Sequence, residues 1–339
     1  MQLRTPLLFL LGAVSLLRAG VLLDSSTYGR LNGATAMSTI VGAPALGASG
    51  DINDPAGPFV FPRGVGLDGT VALIINTNVG SFLCSGAMIG PSAVLAAAHC
   101  FTDSSGNQIA SDVSVIAFPN GTTTSATLVA PGSEIYIPSA YNGAVISDYD
   151  IAIVRLPSTF GTGVDIYDTF GVGDSVTTAP FTTVGFGRRG GGATGSTLAS
   201  GARRRGFNQF DFFNSAAVLV SDFDNGLAAN DASCFAVGVC GLGLGNFEAS
   251  TASGDSGGPV FLNGKIVAVT SFGARIGAVD IDGTLNSSFG ELNGFVYTGF
   301  HEAWIDSILA IPEPGTWLLS FAGLGIAFVR RWREIMKWR

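Results

Sequence analysis

Short apolar runs separated by small polar residues dominate the chain. Runs rich in Val, Ile, Ala and Phe include residues 83–89, 93–98, 151–156 and 269–273, and Gly, Asn, Asp and Ser lie between such runs. Strands of four to eight residues bounded by turn-forming residues are typical of this pattern, whereas long amphipathic helices are not. The pattern therefore predicts an all-β protein built from short strands, and no repeat of fixed period accompanies it.

The first 20 residues differ from the rest. Arg4 follows the initiating Met1, a leucine-rich centre comes next, and small residues close the segment at Ala19 and Gly20. This arrangement predicts a secretory signal peptide, and its apolar centre is too short for a membrane-spanning helix. A buried N-terminal strand is the alternative.

The last 28 residues form a second unusual segment. Pro312-Glu313-Pro314 is followed by an apolar stretch, residues 315–329, and then by an arginine-rich end at 330–333. The stretch is at the short limit for crossing a bilayer core of about 30 Å, and the basic cluster would stay on the cytoplasmic side. These three parts, in this order, resemble the PEP-CTERM sorting signals of Gram-negative bacteria. The resemblance implies processing by an exosortase and delivery to the cell surface, and a plain membrane anchor is the alternative.

The net charge of the body of the chain argues against one class of function. The full chain of 339 residues suffices for one large domain with appendages. The body, residues 21 to 311, holds 10 basic and 23 acidic residues. Such a surplus of negative charge repels a phosphate backbone and argues against nucleic-acid binding. The run 203–205, three arginines, is expected to be a solvated loop or a feature of a barrel edge.

Three fragments carry candidate chemistry. Leu95-Ala96-Ala97-Ala98-His99-Cys100 comes first, a stretch from Asp148 to Leu156 comes second, and Gly254-Asp255-Ser256-Gly257-Gly258-Pro259 comes third. A serine hydroxyl is a weak nucleophile until an imidazole takes its proton and a carboxylate orients that imidazole. Together, and in the order His, Asp, Ser, the fragments resemble the chymotrypsin/trypsin family of serine proteases.

The resemblance implies a fold and a reaction. The fold is two packed antiparallel six-stranded β-barrels with a C-terminal helix, which would occupy residues 65–311 after an N-terminal extension at 21–64. The reaction is hydrolysis of peptide bonds in protein or peptide substrates through an acyl-enzyme, without cofactor or metal. A non-catalytic adhesion or matrix-binding protein on the same fold is the alternative, although pseudoenzymes usually lose a member of the triad.

Each role falls on a residue of this chain. His99 is the expected general base and Ser256 the nucleophile, while the backbone N–H groups of Gly254 and Ser256 would form the oxyanion hole. Two aspartates compete to orient His99. Asp150 directly precedes an apolar strand, as the family's carboxylate does, and we assign Asp148 to a loop. The other histidine, His301, lies where the family begins its terminal helix and is expected to have no catalytic role.

Four cysteines in an exported chain allow three pairings, and an oxidising compartment disfavours free thiols. The resemblance implies a disulfide between Cys84 and Cys100, and we also expect one between Cys234 and Cys240.

The resemblance also implies a substrate pocket. Its residues would be Ser250, six positions before Ser256, and the segment Ser271-Phe272-Gly273. Ser250 carries no charge, so we expect a preference for uncharged side chains. Glu248 could instead reach the pocket and favour basic ones, and Phe295 is a candidate for filling part of the space.

The sequence contains three further segments whose roles it does not decide. The glycine-rich stretch from 185 to 206 is expected to be a flexible surface loop. Residues 221–226 have acidic side chains at alternating positions, which suits either a Ca²⁺ site or an ordinary acidic turn.

In the family, a freed N-terminus inserts beside the aspartate that precedes the catalytic serine. Ile40-Val41-Gly42 matches the usual start of that N-terminus, but no basic residue precedes it, so we favour a start near Val21.

Overall fold

The computed structural model describes residues 21–23, 40–42, 59, 66–118, 127–129, 134–144, 146–171, 173–201 and 203–311. The predicted signal peptide and the predicted sorting signal lie outside these residues. Among the described residues, no helix combines the length and the apolar character needed to cross a membrane.

Strands account for most of the regular structure. In the described residues the strands are β1 (Val21–Leu23), β2 (Ile40–Gly42), β3 (Thr70–Thr77), β4 (Gly80–Gly90), β5 (Ala93–Ala96), β6 (Asp112–Ile116), β7 (Thr127–Val129), β8 (Ile135–Tyr136), β9 (Ala152–Arg155), β10 (Phe181–Gly185), β11 (Arg189–Gly191), β12 (Gly195–Leu198), β13 (Arg204–Asn208), β14 (Phe212–Phe213), β15 (Val218–Asp222), β16 (Ala249–Ser250), β17 (Pro259–Leu262), β18 (Lys265–Arg275) and β19 (Glu291–Tyr297). In the described part of the chain two α-helices join them, α1 (Ala232–Val237) and α2 (Glu302–Leu309).

Two antiparallel sheets form the body. The first runs in the order β7-β6-β3-β4-β5-β9-β8 with β1 added to β4, and the second runs β13-β10-β17-β18-β19-β15-β14. The largest apolar core includes Val94 and Ile153 from the first sheet and Val184 and Val269 from the second, so the two sheets pack on one another. The prediction of an all-β fold of two antiparallel units with a C-terminal helix is confirmed.

Both predicted disulfides are present. Cys84 of β4 is bonded to Cys100, with an S–S distance of 2.06 Å, and Cys234 is bonded to Cys240 beyond α1. The first bond fastens the turn that contains His99 to the neighbouring strand of the same sheet.

The prediction that residues 185–206 form a flexible surface loop was wrong. This stretch contains β11, β12 and the start of β13, and β12-β11-β2-β16 form a third, small sheet. A Cβ on Gly190 would lie 1.7 Å from the carbonyl oxygen of Gly195, so the two strands of this hairpin approach as only glycine permits. Strand β2, with the Ile40-Val41-Gly42 tripeptide, runs parallel to β11 and antiparallel to β16.

The arginine run lies at the edge of a sheet, one of its two expected positions, but two of its three arginines are buried rather than solvated. Strand β13 is at the edge of its sheet, yet Arg203 is only 3% exposed and Arg204 is fully buried. The Arg203 guanidinium donates to the Asp68 carboxylate at 2.8 Å and to the carbonyl oxygen of Leu67 at 2.6 Å. A buried guanidinium needs such partners, and Asp68 lies far away in sequence.

Candidate active site

His99 lies in a short 3₁₀ turn, Ala98–Cys100, directly after β5. Alanines at positions 96, 97 and 98 are buried, and their small side chains let the turn sit deep between the sheets. The backbone N–H of His99 donates to Asp150 Oδ1 at 2.8 Å, and its ring Nδ1 lies 2.7 Å from Asp150 Oδ2. Two contacts to one carboxylate fix both the position and the orientation of the imidazole.

Asp150 is fully buried just before β9. Its Oδ2 also accepts a hydrogen bond from the Ser271 hydroxyl at 2.5 Å, a contact across 121 residues that no local pattern in the sequence indicates. Because the carboxylate accepts, Nδ1 of His99 is the protonated ring nitrogen and Nε2 is the basic one. Within the described residues, Nε2 is buried without a hydrogen-bond partner.

The competing aspartate serves another purpose. Asp148 Oδ1 accepts from the hydroxyl of Ser215 and from the backbone N–H of Ala217 at 2.9 Å. Its carbonyl oxygen lies 2.6 Å from Nε2 of His301, whose pKa is lowered by burial. Asp150 is therefore the aspartate that contacts His99. Asp148 contacts His301 instead, at a different place in the structure.

The Ser256 turn is held by the opposite sheet. Ser85 of β4 donates its backbone N–H to the Ser256 carbonyl at 2.8 Å and its hydroxyl to the Gly254 carbonyl at 2.9 Å. Cys100 Sγ lies 3.8 Å from the same Ser256 carbonyl oxygen. Ser85 thus positions the serine turn next to the histidine turn. The sequence analysis missed this role, and the only available signal was a lone hydroxyl in an otherwise apolar run.

Asp255 is fully buried beneath this turn. Its carboxylate accepts backbone N–H bonds from Gly187 at 2.8 Å and from Ala252 at 2.9 Å. Burial outweighs these two bonds and raises the pKa of Asp255 to about 7. Ile40 of β2 pairs with Arg189, which is two residues beyond Gly187 in the chain.

A cavity of about 300 Å³ adjoins Ser256, and all four predicted substrate-binding residues line it. Ser250 is buried, and its hydroxyl donates to Asn293 Oδ1 at 2.9 Å. Phe272 and Leu285 contribute apolar surface. The remaining lining residues are Arg188, Ser196, Thr251, Ala252, Ser253, Thr270, Asn286, Ser287 and Glu291.

Neither of the two further residues considered for this cavity lines it. Glu248 is not among its lining residues, because its carboxylate accepts the backbone N–H groups of Asp224 and Leu244. Phe295 packs instead against Phe181 and Phe210 in the core of the second sheet.

The acidic residue that does line the cavity is Glu291. Its two oxygens accept the backbone N–H groups of Asn286 at 2.7 Å and Ser287 at 2.8 Å. Burial raises the pKa of Glu291 to about 7. Its carboxyl group therefore holds the 286–288 segment in place at the cavity wall.

Comparisons with known proteins agree with this geometry. Residues 67–205 match the model of the trypsin family. A protein named trypsin from Saccharopolyspora erythraea is 26% identical over 205 residues, which cover 60% of this chain and 80% of that protein. This chain also superposes on the solved structure of HL collagenase with a TM-score of 0.52 and 16% sequence identity. The superposition covers 74% of this chain and 97% of the collagenase chain, and it shows a likeness of fold. The chain thus has a chymotrypsin-like fold and contains, over residues 67–205, a region that matches the trypsin family.

Proposed function

We propose that this protein is a serine endopeptidase whose triad is His99, Asp150 and Ser256. The observation that carries the proposal is the hydrogen-bond chain from Ser271 through Asp150 to the His99 ring. His99 lies in a turn whose next residue, Cys100, is 3.8 Å from the Ser256 carbonyl oxygen. The matched trypsin region includes the histidine and the aspartate but stops before the serine. The assignment of Ser256 therefore rests on its glycine-rich turn and on its place at the cavity.

The residues divide the chemistry as follows. His99 Nε2 takes the proton of the Ser256 hydroxyl as its oxygen attacks the scissile carbonyl carbon, and Asp150 stabilises the imidazolium that forms. The N–H groups of Gly254 and Ser256 stabilise the oxyanion. His99 then returns the proton to the leaving amine, which leaves an acyl-enzyme that water hydrolyses. No step requires a cofactor.

The test is labelling by a fluorophosphonate, together with hydrolysis of a denatured protein substrate by the secreted protein. We expect Ser256→Ala to abolish labelling, and Ser256→Ala and His99→Ala each to lower the hydrolysis rate by about 10³-fold or more. Ser307→Ala is the matched control, because that hydroxyl only donates to the Trp304 carbonyl on an exposed helix face. A folded wild-type protein that neither labels nor hydrolyses would instead favour an adhesion or matrix-binding role.

The cavity supports cleavage after uncharged, medium-sized apolar residues. Ser250 brings an uncharged hydroxyl group to the cavity, and Phe272 and Leu285 offer apolar contacts. The Glu291 carboxylate is occupied by backbone donors. Cleavage of a peptide library should therefore show Leu, Met or Phe preferred over Arg and Lys. Dominant cleavage after Arg or Lys would contradict this preference and would indicate that the Glu291 carboxylate binds basic side chains of the substrate.

We further propose export and surface sorting in a Gram-negative bacterium, with signal peptidase and exosortase as processing partners. Two disulfides in a trypsin-like domain accord with an exported protein. The sorting step rests on the Pro-Glu-Pro, apolar and arginine-rich tail of the sequence. Deletion from Pro312 onward should release active enzyme from the cell envelope into the medium. Equal release of the full-length and the truncated chain would contradict a retention role.

The mature N-terminus is also a proposal. Strand β2 pairs with Arg189, two residues from the Gly187 N–H that donates to Asp255, and this pairing supports Ile40 as the residue freed on activation, rather than the start near Val21 that the sequence alone favoured. Strand β1, which contains Val21, pairs instead with Leu83 of the first sheet. N-terminal sequencing of the active enzyme decides between them, and a start near Val21 would contradict the choice of Ile40.

A further inference from the structure

An acidic cluster lies on the second sheet, apart from the triad. It comprises Asp222 at the end of β15, Asp224 just beyond it, and Asp231 at the start of α1, all of them buried. Single carboxylate oxygens from these three side chains lie within 4.8 Å of one another. Asp211 and Glu248 stand next to the cluster, since both accept backbone N–H bonds from its members.

Asp224 is the exceptional member. It is 1% exposed, and within the described residues neither of its carboxylate oxygens has a hydrogen-bond partner. The other members are satisfied: Asp222 accepts from the Ser233 N–H at 2.9 Å, and Asp231 accepts from the Cys234 N–H at 2.7 Å. Buried carboxylates are ordinarily paired or hydrogen-bonded, so the two bare oxygens of Asp224 mark a position where a partner belongs.

The surroundings specify the charge of that partner. Other carboxylates surround Asp224: oxygens of Asp222 and Asp231 lie within 4.8 Å of one of its own, and Glu248 accepts its backbone N–H, so like negative charges face one another. A bound cation removes this repulsion between like charges. The chemistry of the donors is entirely oxygen, because Cys234 and Cys240 beside Asp231 are joined in a disulfide.

We propose that Asp222, Asp224 and Asp231 bind one Ca²⁺ ion. Ca²⁺ takes six to eight oxygen ligands in irregular geometry, whereas Mg²⁺ demands a regular octahedron and Zn²⁺ favours nitrogen and sulfur. The three carboxylates supply oxygen ligands of this kind, and solvent would complete the coordination of Ca²⁺. The inference goes beyond the proposed peptidase activity and does not depend on it.

The site is connected to the wall of the candidate substrate cavity. The Asn208 side-chain amide donates to the Asp222 carbonyl at 2.6 Å and to the Ala249 carbonyl at 3.2 Å. Ala249 belongs to the same short strand as Ser250, which lines the cavity. Bound Ca²⁺ therefore anchors the segment on which Ser250 lies.

The experiment uses the secreted protein after treatment with EDTA and removal of the chelator. Calorimetric titration with CaCl₂ should show one site. At free Ca²⁺ about 100 times the Kd, the melting temperature should rise by roughly 5–10 °C. MgCl₂ at the same concentration should produce a clearly smaller rise.

Asp224→Asn preserves the shape of the side chain and removes its charge. It should weaken Ca²⁺ binding by at least about tenfold while melting in EDTA at or above the wild-type temperature, since one unpaired buried charge is gone. Asp306→Asn makes the same change on the exposed face of α2 and should keep the full Ca²⁺ response. Should Asp224→Asn fail to fold, Asp222→Asn serves in its place.

Three outcomes would overturn the proposal. They are the absence of any heat or melting shift with CaCl₂, an undiminished Ca²⁺ response in the folded Asp224→Asn variant, and an equal response to Mg²⁺. Because binding and melting are measured without substrate, an inactive triad leaves this test unaffected.

Discussion

Replacement of Gly254 by alanine tests how the candidate oxyanion hole is built. Gly254 has φ near +100°, a backbone region that side-chain-bearing residues rarely adopt. A Cβ at this position would lie 2.7 Å from the Cα of Gly187, a backbone atom that cannot move aside without shifting its own strand connection. The substitution therefore combines a conformational penalty with a steric one.

The two penalties can be separated by a matched control. Gly264 has φ near +80° in the two-residue turn between β17 and β18, and a Cβ there meets nothing within 4 Å. Gly264→Ala should therefore lower the free energy of unfolding only by the conformational penalty, about 1–2 kcal/mol. Gly254→Ala adds a clash in a packed interior, about 1–3 kcal/mol more.

The same clash should reduce activity. Relief of the 2.7 Å contact turns the Gly254 peptide away from Gly187, and its N–H then no longer points to the position of the oxyanion. Loss of one such donor lowers kcat by about 10²–10³-fold, with KM little changed.

Urea unfolding followed by fluorescence, together with steady-state hydrolysis of a peptide substrate, measures both effects in both variants. Gly264→Ala should keep the wild-type kcat. The reasoning fails if Gly254→Ala is no less stable than Gly264→Ala, or if its kcat remains at the wild-type value.

Three further expectations follow from single contacts. Ser271→Ala removes a hydrogen bond to the Asp150 carboxylate and should lower kcat/KM by about 10–100-fold, in a steady-state assay, without unfolding the protein. Arg203→Met breaks a buried ion pair and should lower the free energy of unfolding in urea by about 3–5 kcal/mol, whereas Lys265→Met breaks an exposed pair and should change it little. Burial raises the pKa of Asp255 to about 7, so the folded chain holds this proton more tightly than the unfolded chain. In the uncleaved chain with EDTA present, stability should therefore fall as the pH rises from about 4 to 7, and less steeply in Asp255→Asn.

Local patterns predicted the parts of the site that are local in the chain. The apolar run after Asp150 is the reason for choosing it over Asp148, and the geometry puts Asp150 at His99. The residues alone left three cysteine pairings open; the family resemblance implied the bond between Cys84 and Cys100, and the expected bond between Cys234 and Cys240 is present as well. The fold class likewise follows from the alternation of short apolar runs and turns.

Contacts between distant segments were not predictable in this way. Ser85 holds the Gly254 carbonyl across 169 residues, and Arg203 meets Asp68 across 135. Whether Glu248 or Glu291 faces the cavity depends on how β16 and β19 are rotated in their sheets, and neither residue type nor spacing encodes that rotation. The glycine-rich stretch became a sheet because β2, from a remote part of the chain, pairs with it.

One further contact joins the last described residues to the first sheet. The guanidinium of Arg155, at the end of β9, donates to the carbonyl oxygens of Ile308 and Ile311 at 3.1 and 3.0 Å. The tail after residue 311 therefore leaves the body at a point clamped to the first sheet.

If that tail tethers the protein, tension is transmitted through Arg155 into β9, which begins beside Asp150. It also reaches β5, which pairs with β9 at four positions and leads directly to His99. A pull on the tether would therefore act on the histidine and the aspartate through the same pair of hydrogen-bonded strands.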